Sequence, residues 1–294
     1  MDVKKTLFSS LKSAWIILKF VIPIYILAEV LYYYNTLAYI SFLVEPFTSF
    51  LNLPKEASLS IISGIFLNLY AAVAFAAPLE MDTKQWTTLA IFLGICHSLV
   101  VESIIMKKIG LSSFYSYSLR FFAGLAVAFL VTFIPLDYFS ANIPLEGFKQ
   151  KSYESLTQLL QISIYNAFIL SLKIIILITI LIFIMDYVKV RIAFISKGKN
   201  ISKGFSLVVG IFLGITYGAG ILIKEVESNT LNKEDIFFIG TFLMICHAII
   251  EDTLLFLIFG ADFTIIIFIR TLAAILISYS FLYLFNKKLQ KIGA

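Results

Sequence analysis

Apolar residues run in long blocks along this chain, separated by short polar interruptions. Blocks at 7–34, 56–78, 85–108, 113–134, 206–224, 235–259 and 263–286 are each close to or above the ~20 residues that a bilayer-crossing helix needs. A shorter block, 36–52, carries Glu45-Pro46 and could span, lie in the interface or re-enter. The block 153–190 is too long for one simple span, so an amphipathic interfacial start is expected there. Pro23 is expected to kink the first block, which holds Lys12 and Lys19 and no small-residue cleavage site, so it reads as a retained helix. A polar break at 135–152 contains Pro135, Pro144, Gly147 and Lys149. The pattern predicts an all-α, polytopic integral membrane protein with roughly eight to ten transmembrane helices.

Composition sharpens this picture. The chain is 60% hydrophobic and only 14% charged, against about 45–50% and 25% in soluble domains. Two Cys exclude a disulfide scaffold, and 29 Phe with 15 Tyr exclude a disordered chain. The net charge of +5 does not call for nucleic acid, because basic residues in a membrane protein gather in cytoplasmic loops. Nothing between the blocks is long enough for an extramembrane domain, so function is expected among the helices of a multi-pass protein of the cell (inner) membrane. Absolute orientation stays open: the basic stretch Lys189 to Lys203 favours one topology, and Lys287, Lys288 and Lys291 favour the other. Trp15, Trp86 and Tyr32 to Tyr34 fall near block ends, where an aromatic belt would place them.

The chain contains an internal repeat. Gly64-Ile-Phe-Leu67 recurs as Gly210-Ile-Phe-Leu213, offset by 146, and Ile95-Cys96-His97 recurs as Ile245-Cys246-His247, offset by 150. At that second offset Glu102 falls opposite Asp252, Gly110 opposite Gly260, and Arg120 opposite Arg270. The pattern is Ile-Cys-His-x4-acid-x7-Gly-x9-Arg, and it uses every His and every Cys in the chain. The expected organisation is a first repeat over 1–135, a polar linker over 136–152 and a second repeat over 153–294. Repeated halves suit transporters, in which two related bundles move about a shared midplane site.

The repeated polar residues are candidates for that site. Glu102 and Arg120 flank Gly110 at similar distances, so two antiparallel helices joined there bring them to one depth; Asp252 and Arg270 do the same across Gly260. Each is roughly 12–15 Å from its turn, near the middle of a bilayer. Ser112 or Ser113 and Asp262 suit the N-caps of the outgoing helices. Charges at that depth pair with one another or face water, so each pair either locks its hairpin or lines a cavity. On a continuous helix His97 and Glu102 point about 140° apart, so the His is expected to look toward the other half. Glu251 lies at i+4 from His247 and has no counterpart, which favours the second half for a cation or proton. Asn68 and Tyr70 in the first Gly-Ile-Phe-Leu helix, and Thr216 and Tyr217 in the second, are polar groups within apolar helices. They mark either close packing or a locally unwound helix that touches a solute. A metal site would have to form across the repeat interface, because neither half holds a metal-binding spacing and adjacent Cys96 and His97 point about 100° apart.

The run from Pro46 to Ala57, the following Ser63-Gly-Ile-Phe-Leu67, and Gly210-Ile-Phe-Leu-Gly-Ile-Thr-Tyr-Gly-Ala-Gly220 resemble the nucleoside-recognition or "gate" domain. So does the Cys-His-x4-acid, Gly, Arg pattern. That group is related to concentrative nucleoside transporters, the permease region of ferrous-iron transporters and the spore maturation membrane proteins. The resemblance implies two gate domains in one chain. It fixes no substrate, since no residue set here matches a nucleoside site.

The expectation is a transporter, not an enzyme, that moves a small polar solute or ion by alternating access. His97, Glu102, Arg120, His247, Glu251, Asp252 and Arg270 would form its polar layer. A proton or Na⁺ would be the coupling ion, and the two Arg would suit an anionic solute if they are not neutralised internally. No cofactor is expected; the partners are the lipid bilayer and the solute, with a homo-oligomer left open. Two rivals stand beside it: a non-transporting scaffold locked by its Arg–acid pairs, and an intramembrane metal-dependent enzyme.

Overall fold

The computed structural model describes residues 3–34, 36, 44–140, 153–195, 207–208, 210–212, 214, 223, 226 and 231–292. Their α-helices are α1 (Val3–Tyr33), α2 (Glu45–Phe50), α3 (Ser58–Phe66), α4 (Leu69–Ala76), α5 (Thr83–Cys96), α6 (Leu99–Lys108), α7 (Ser113–Val131), α8 (Leu156–Ile195), α9 (Lys233–Ile245), α10 (Ile249–Leu257) and α11 (Phe263–Ile292). Two 3₁₀ turns, Lys55–Ala57 and Leu136–Tyr138, complete the set, and no strand occurs among the described residues. This is an all-α, polytopic membrane protein.

Among the described residues, six stretches are long and apolar enough to cross a bilayer: α1, α5–α6, α7, Leu156–Val188 of α8, α9–α10 and α11. Six is fewer than eight to ten, and the difference lies in three segments. Within 36–52 the described part is mainly the short α2. Segment 56–78 is broken at Leu67–Asn68 into α3 and α4, each too short to span. Most of 206–224 lies outside the described residues. The stretch 153–190 has no separate interfacial piece: α8 is one continuous helix of 40 residues, ~60 Å long. Likewise, α1 continues as helix through Pro23.

Short contacts fix the direction of every span. Call the side where α5 begins the upper face. Thr87, one turn into α5, accepts the backbone N–H of Asp262 at 2.8 Å, and Trp86 stacks on Phe259 with ring centroids 4.7 Å apart. The turn between α10 and α11 is therefore upper. The turn around Gly110, at the far end of α6, is lower. There the Tyr115 hydroxyl meets Thr241 Oγ1 at 2.8 Å and its ring stacks on Phe237 at 5.3 Å. So α9 begins at the lower face, and α9–α10 runs opposite to α5–α6. The remaining spans agree. Tyr32 near the end of α1 donates to Phe75 O of α4 at 2.6 Å, just before α5 begins, so α1 rises. Tyr153 meets Glu29 at 3.3 Å and Thr6 donates to Asp186 at 2.7 Å, so α8 lies antiparallel to α1 and descends.

Two consequences follow. Among the described residues each half contributes three spans, α1, α5–α6 and α7 against α8, α9–α10 and α11, and the second half runs upside down relative to the first. The repeats are inverted. The α3–α4 segment also re-enters: Gln85 near the start of α5 donates to Asn52 O at 3.2 Å, placing the approach to α3 at the upper face, and α4 ends just before α5 at that same face.

The halves interlock reciprocally. Helix α7 packs on α9, and α11 packs on α5. Within each half, equivalent glycines give equivalent close contacts. A Cβ on Gly64 would stand 2.5 Å from Leu93, and one on Gly210 would stand 2.4 Å from Leu243, so the helices approach only because that Cβ is absent. Trp86 is only 4% exposed, so it serves this packing and not a lipid-facing belt; Trp15, 68% exposed, faces outward. Asp262 caps α11, accepting from the Ile265 N–H at 2.8 Å, whereas the Ser112 side chain makes no cap bond for α7.

Candidate functional site

Both repeated Ile-Cys-His segments interrupt a span near its middle. Helix α5 ends at Cys96, His97 is extended, and Ser98 takes a left-handed conformation (φ 46°, ψ 36°) before α6 begins. In the second half α9 ends at Ile245, Ala248 is left-handed (φ 44°, ψ 29°), and α10 begins at Ile249. The first break lies 14 residues into α5–α6 with 10 residues beyond it, ~21 Å and ~15 Å along the axis. Such a break leaves backbone carbonyls without partners in a medium that supplies no water.

The repeated arginines satisfy those carbonyls. Arg120 donates Nε–H to Ile95 O and Nη2–H to His97 O, both at 2.7 Å. Arg270 donates Nε–H to Ile245 O at 3.3 Å and Nη2–H to His247 O at 3.1 Å. Arg270 also reaches across the repeat interface to Gly94 O at 2.6 Å. Each guanidinium then pairs with the acid of the following half-helix, Arg120 with Glu102 at 2.7 Å and Arg270 with Asp252 at 3.2 Å. Both pairs expected across Gly110 and Gly260 are therefore present. Both Arg are 0% exposed, face the broken backbone and are neutralised internally, so neither is presented to a solute.

The histidines meet at the repeat interface, with ring centroids 5.3 Å apart. Nδ1 of His97 is 2.8 Å from Leu93 O, and Nδ1 of His247 is 2.7 Å from Leu243 O. Nε2 of His97 lies 3.4 Å from Glu102 Oε1, and Nε2 of His247 lies 3.2 Å from Glu102 Oε2. The expectation that His97 and Glu102 face apart is overturned, because it assumed a continuous helix; the break at Ser98 turns them together. The same correction applies to His247 and Glu251. They flank a break, so the i+4 relation does not hold, and Glu102 of the first half is the carboxylate that contacts both imidazoles. Glu251 instead accepts from the Tyr70 hydroxyl at 3.3 Å.

A half-enclosed cavity of ≈ 310 Å³ opens onto this cluster. It is lined by Asn68, Leu69 and Tyr70 at the tip of α3–α4; by His97, Ser98 and Glu102; by His247, Ala248, Glu251, Asp252 and Leu255; by Gly214; and by Leu177, Ile178 and Leu181 of α8. Asn68 is the N-cap of α4, accepting from the Ala71 N–H at 2.9 Å. Ser98 N–H donates to Gly64 O at 2.8 Å, tying the tip of α3 to the break after α5. In the other half Gly214, at φ +73°, lies against Ala248. The structure thus brings together His97, Glu102, His247, Glu251, Asp252 and Asn68 at one cavity. Arg120 and Arg270 stand behind it. Thr216 and Tyr217 lie outside the described residues. Sequence reasoning missed Tyr70 as Glu251's partner, Ser98, and the apolar wall from α8. The left-handed Ser98 and Ala248 have no Gly or Pro signal that would have announced them.

Residues 14–136, from α1 through α7, match the family model for nucleoside recognition, Gate. The matched stretch contains Asn68, His97 and Glu102 of the cavity wall, with Arg120 behind them. The whole chain is similar to the uncharacterized membrane protein YvoD of Bacillus subtilis (strain 168), at 25% identity over 291 residues, covering 94% of this chain and 92% of YvoD. No solved structure matches the chain significantly.

Proposed function

We propose that this protein is a transporter that moves a small polar solute or ion across the cell membrane by alternating access, with residues 153–294 acting as a second, inverted gate repeat. The observation that carries this reading is the convergence of helix breaks. The tip of α3–α4, the α5–α6 break, the α9–α10 break and Gly214 all line one cavity at mid-membrane depth. Irregular backbone at that depth persists where it lines a cavity, and inverted repeats joined there can exchange conformations. The cavity volume sits at the small end of the range for small-molecule sites. Its lining offers hydrogen-bonding and acidic groups from both halves, and its bound partner is a solute rather than a reacting substrate.

Glu251 or Asp252 is the candidate carrier of a coupling proton or Na⁺. With both guanidinium groups neutralised, the lining favours a solute with hydrogen-bond donors over a simple anion. The lower face is assigned to the cytoplasm. Lys4, Lys5, Lys107, Lys108, Lys189, Arg191, Lys233, Lys287, Lys288 and Lys291 lie at helix ends on that face, whereas Lys55 and Lys84 stand at the upper one.

Thermal unfolding of purified protein against a panel of nucleosides, amino acids and other small polar solutes tests the reading. A ligand at 100 times its Kd stabilises the folded state by about 2.7 kcal/mol. The expected result is a stabilising solute whose effect is lost in Tyr70→Phe and Glu251→Gln, and whose uptake into proteoliposomes those variants slow. A stabilising solute that proteoliposomes never accumulate would contradict transport.

A further inference from the structure

We infer that His97, His247 and Asp252, with Glu102 beside them, form a binding site for a divalent first-row transition-metal ion at the base of the cavity. This concerns binding, and it holds whether or not the protein moves a solute.

The imidazoles are oriented as metal ligands are. A backbone carbonyl can only accept, so Leu93 O and Leu243 O place a proton on Nδ1 of each ring. That leaves Nε2 as the lone-pair atom and fixes the ring plane, the usual outer-shell arrangement of a metal-bound histidine. Both Nε2 atoms then point at carboxylate oxygens, which also only accept. Nε2 of His247, on a residue 1% exposed, makes no hydrogen bond among the described residues even though Glu102 Oε2 is 3.2 Å away. A buried group of facing acceptors is relieved by a cation between them, either a proton on Nε2 or a metal ion.

The spacing suits one ion. Ligand atoms of His97, His247 and Asp252 all lie within 4.8 Å of one another. Metal–nitrogen bonds of about 2.0–2.1 Å place tetrahedral ligand atoms about 3.3 Å apart, so closure of up to about 1.5 Å is needed. The carboxylates are held from behind, Asp252 by Arg270 and Glu102 by Arg120, which supplies the outer-shell support such sites need. Two imidazoles with one or two carboxylates select zinc, iron or cobalt over calcium or magnesium, which prefer all-oxygen ligands. Because the ligands come from both halves, the ion would bridge the repeats. Neither Cys belongs to the cluster: Cys96 is buried in packing, and Cys246 Sγ lies 3.9 Å from Thr271 Oγ1.

The test is titration of metal-depleted, detergent-solubilised full-length protein with Co²⁺. Bound metal is counted by elemental analysis and the ligand field is read from visible absorption. The expected result is one Co²⁺ per chain with visible ligand-field bands, competed by Zn²⁺ and not by Mg²⁺. His97→Gln and His247→Gln should each weaken binding at least about tenfold. Cys96→Ser with Cys246→Ser should leave binding unchanged. Size-exclusion profiles and thermal midpoints establish that the variants are folded. Should a histidine variant not fold, the wild-type titration alone still decides. Folded wild-type protein that binds less than about one-tenth of an equivalent, or that shows no ligand-field bands, would overturn the proposal, as would Co²⁺ binding unchanged in a folded His97→Gln protein.

Discussion

Arg120 and Arg270 show how one side chain makes a broken helix tolerable inside a bilayer. Each satisfies two carbonyls of the half-helix before the break and neutralises the acid of the half-helix after it. Removing either charge leaves a buried carboxylate and bare carbonyls, which costs about 3–5 kcal/mol when one partner of a buried pair is deleted. Arg120→Met and Arg270→Met should therefore lower the thermal midpoint sharply in purified protein. Arg120→Lys should recover only part, since an ammonium lacks the planar fork that reaches both carbonyls and the carboxylate. These pairs were legible in the sequence, because the spacing about Gly110 and Gly260 places them at one depth. The contact between His97 and Glu102 was not. It depends on Ser98 adopting a left-handed conformation that the sequence does not mark, so a continuous helix was the natural reading.

At the scale of elements, the breaks carry small strains that substitutions can relieve or deepen. Ala248 is left-handed at φ 44°, a conformation that costs an L-residue about 1–2 kcal/mol. Ala248→Gly should raise stability by about 1 kcal/mol in chemical or thermal unfolding. Gly214→Ala should do the reverse, because its φ is +73° and the new Cβ would stand 3.2 Å from the Cβ of Ala248. Asn68→Ala removes the cap of α4 and should cost about 1 kcal/mol, and it should also loosen the re-entrant tip that lines the cavity. The apolar blocks announced every spanning helix, because length and hydropathy alone define them. They did not distinguish a span from a re-entrant hairpin: 56–78 is apolar throughout, and the polar Asn68 that ends the first arm reads equally well as a buried packing residue. In the same way, uninterrupted hydropathy hid the breaks within α5–α6 and α9–α10.

For the whole molecule, three spans per half and a re-entrant α3–α4 resolve what charge counting left open. Helix ends rich in Lys and Arg gather on the lower face, and the proposed orientation puts the terminal ends of α1 and α11 in the cytoplasm. In a Cys96→Ser, Cys246→Ser background, Asp137→Cys should react with a membrane-impermeant thiol reagent added outside intact cells, and Lys107→Cys should react only after the membrane is opened. The opposite pattern would invert the molecule without altering its internal geometry. The repeat itself was visible in the sequence, but its inversion was not, since it rests on contacts such as Thr87 with Asp262 and Tyr115 with Thr241.

The central claim is that the cavity between the inverted halves opens to each side in turn. The direct test needs no knowledge of the solute. Ser98→Cys in the same cysteine-free background places a thiol on the cavity wall, and its labelling by an impermeant reagent is followed in right-side-out and in inside-out vesicles. Alternating access predicts labelling from both faces. Labelling from one face only, to completion and at long times, would contradict the account and leave a pocket that never crosses the membrane.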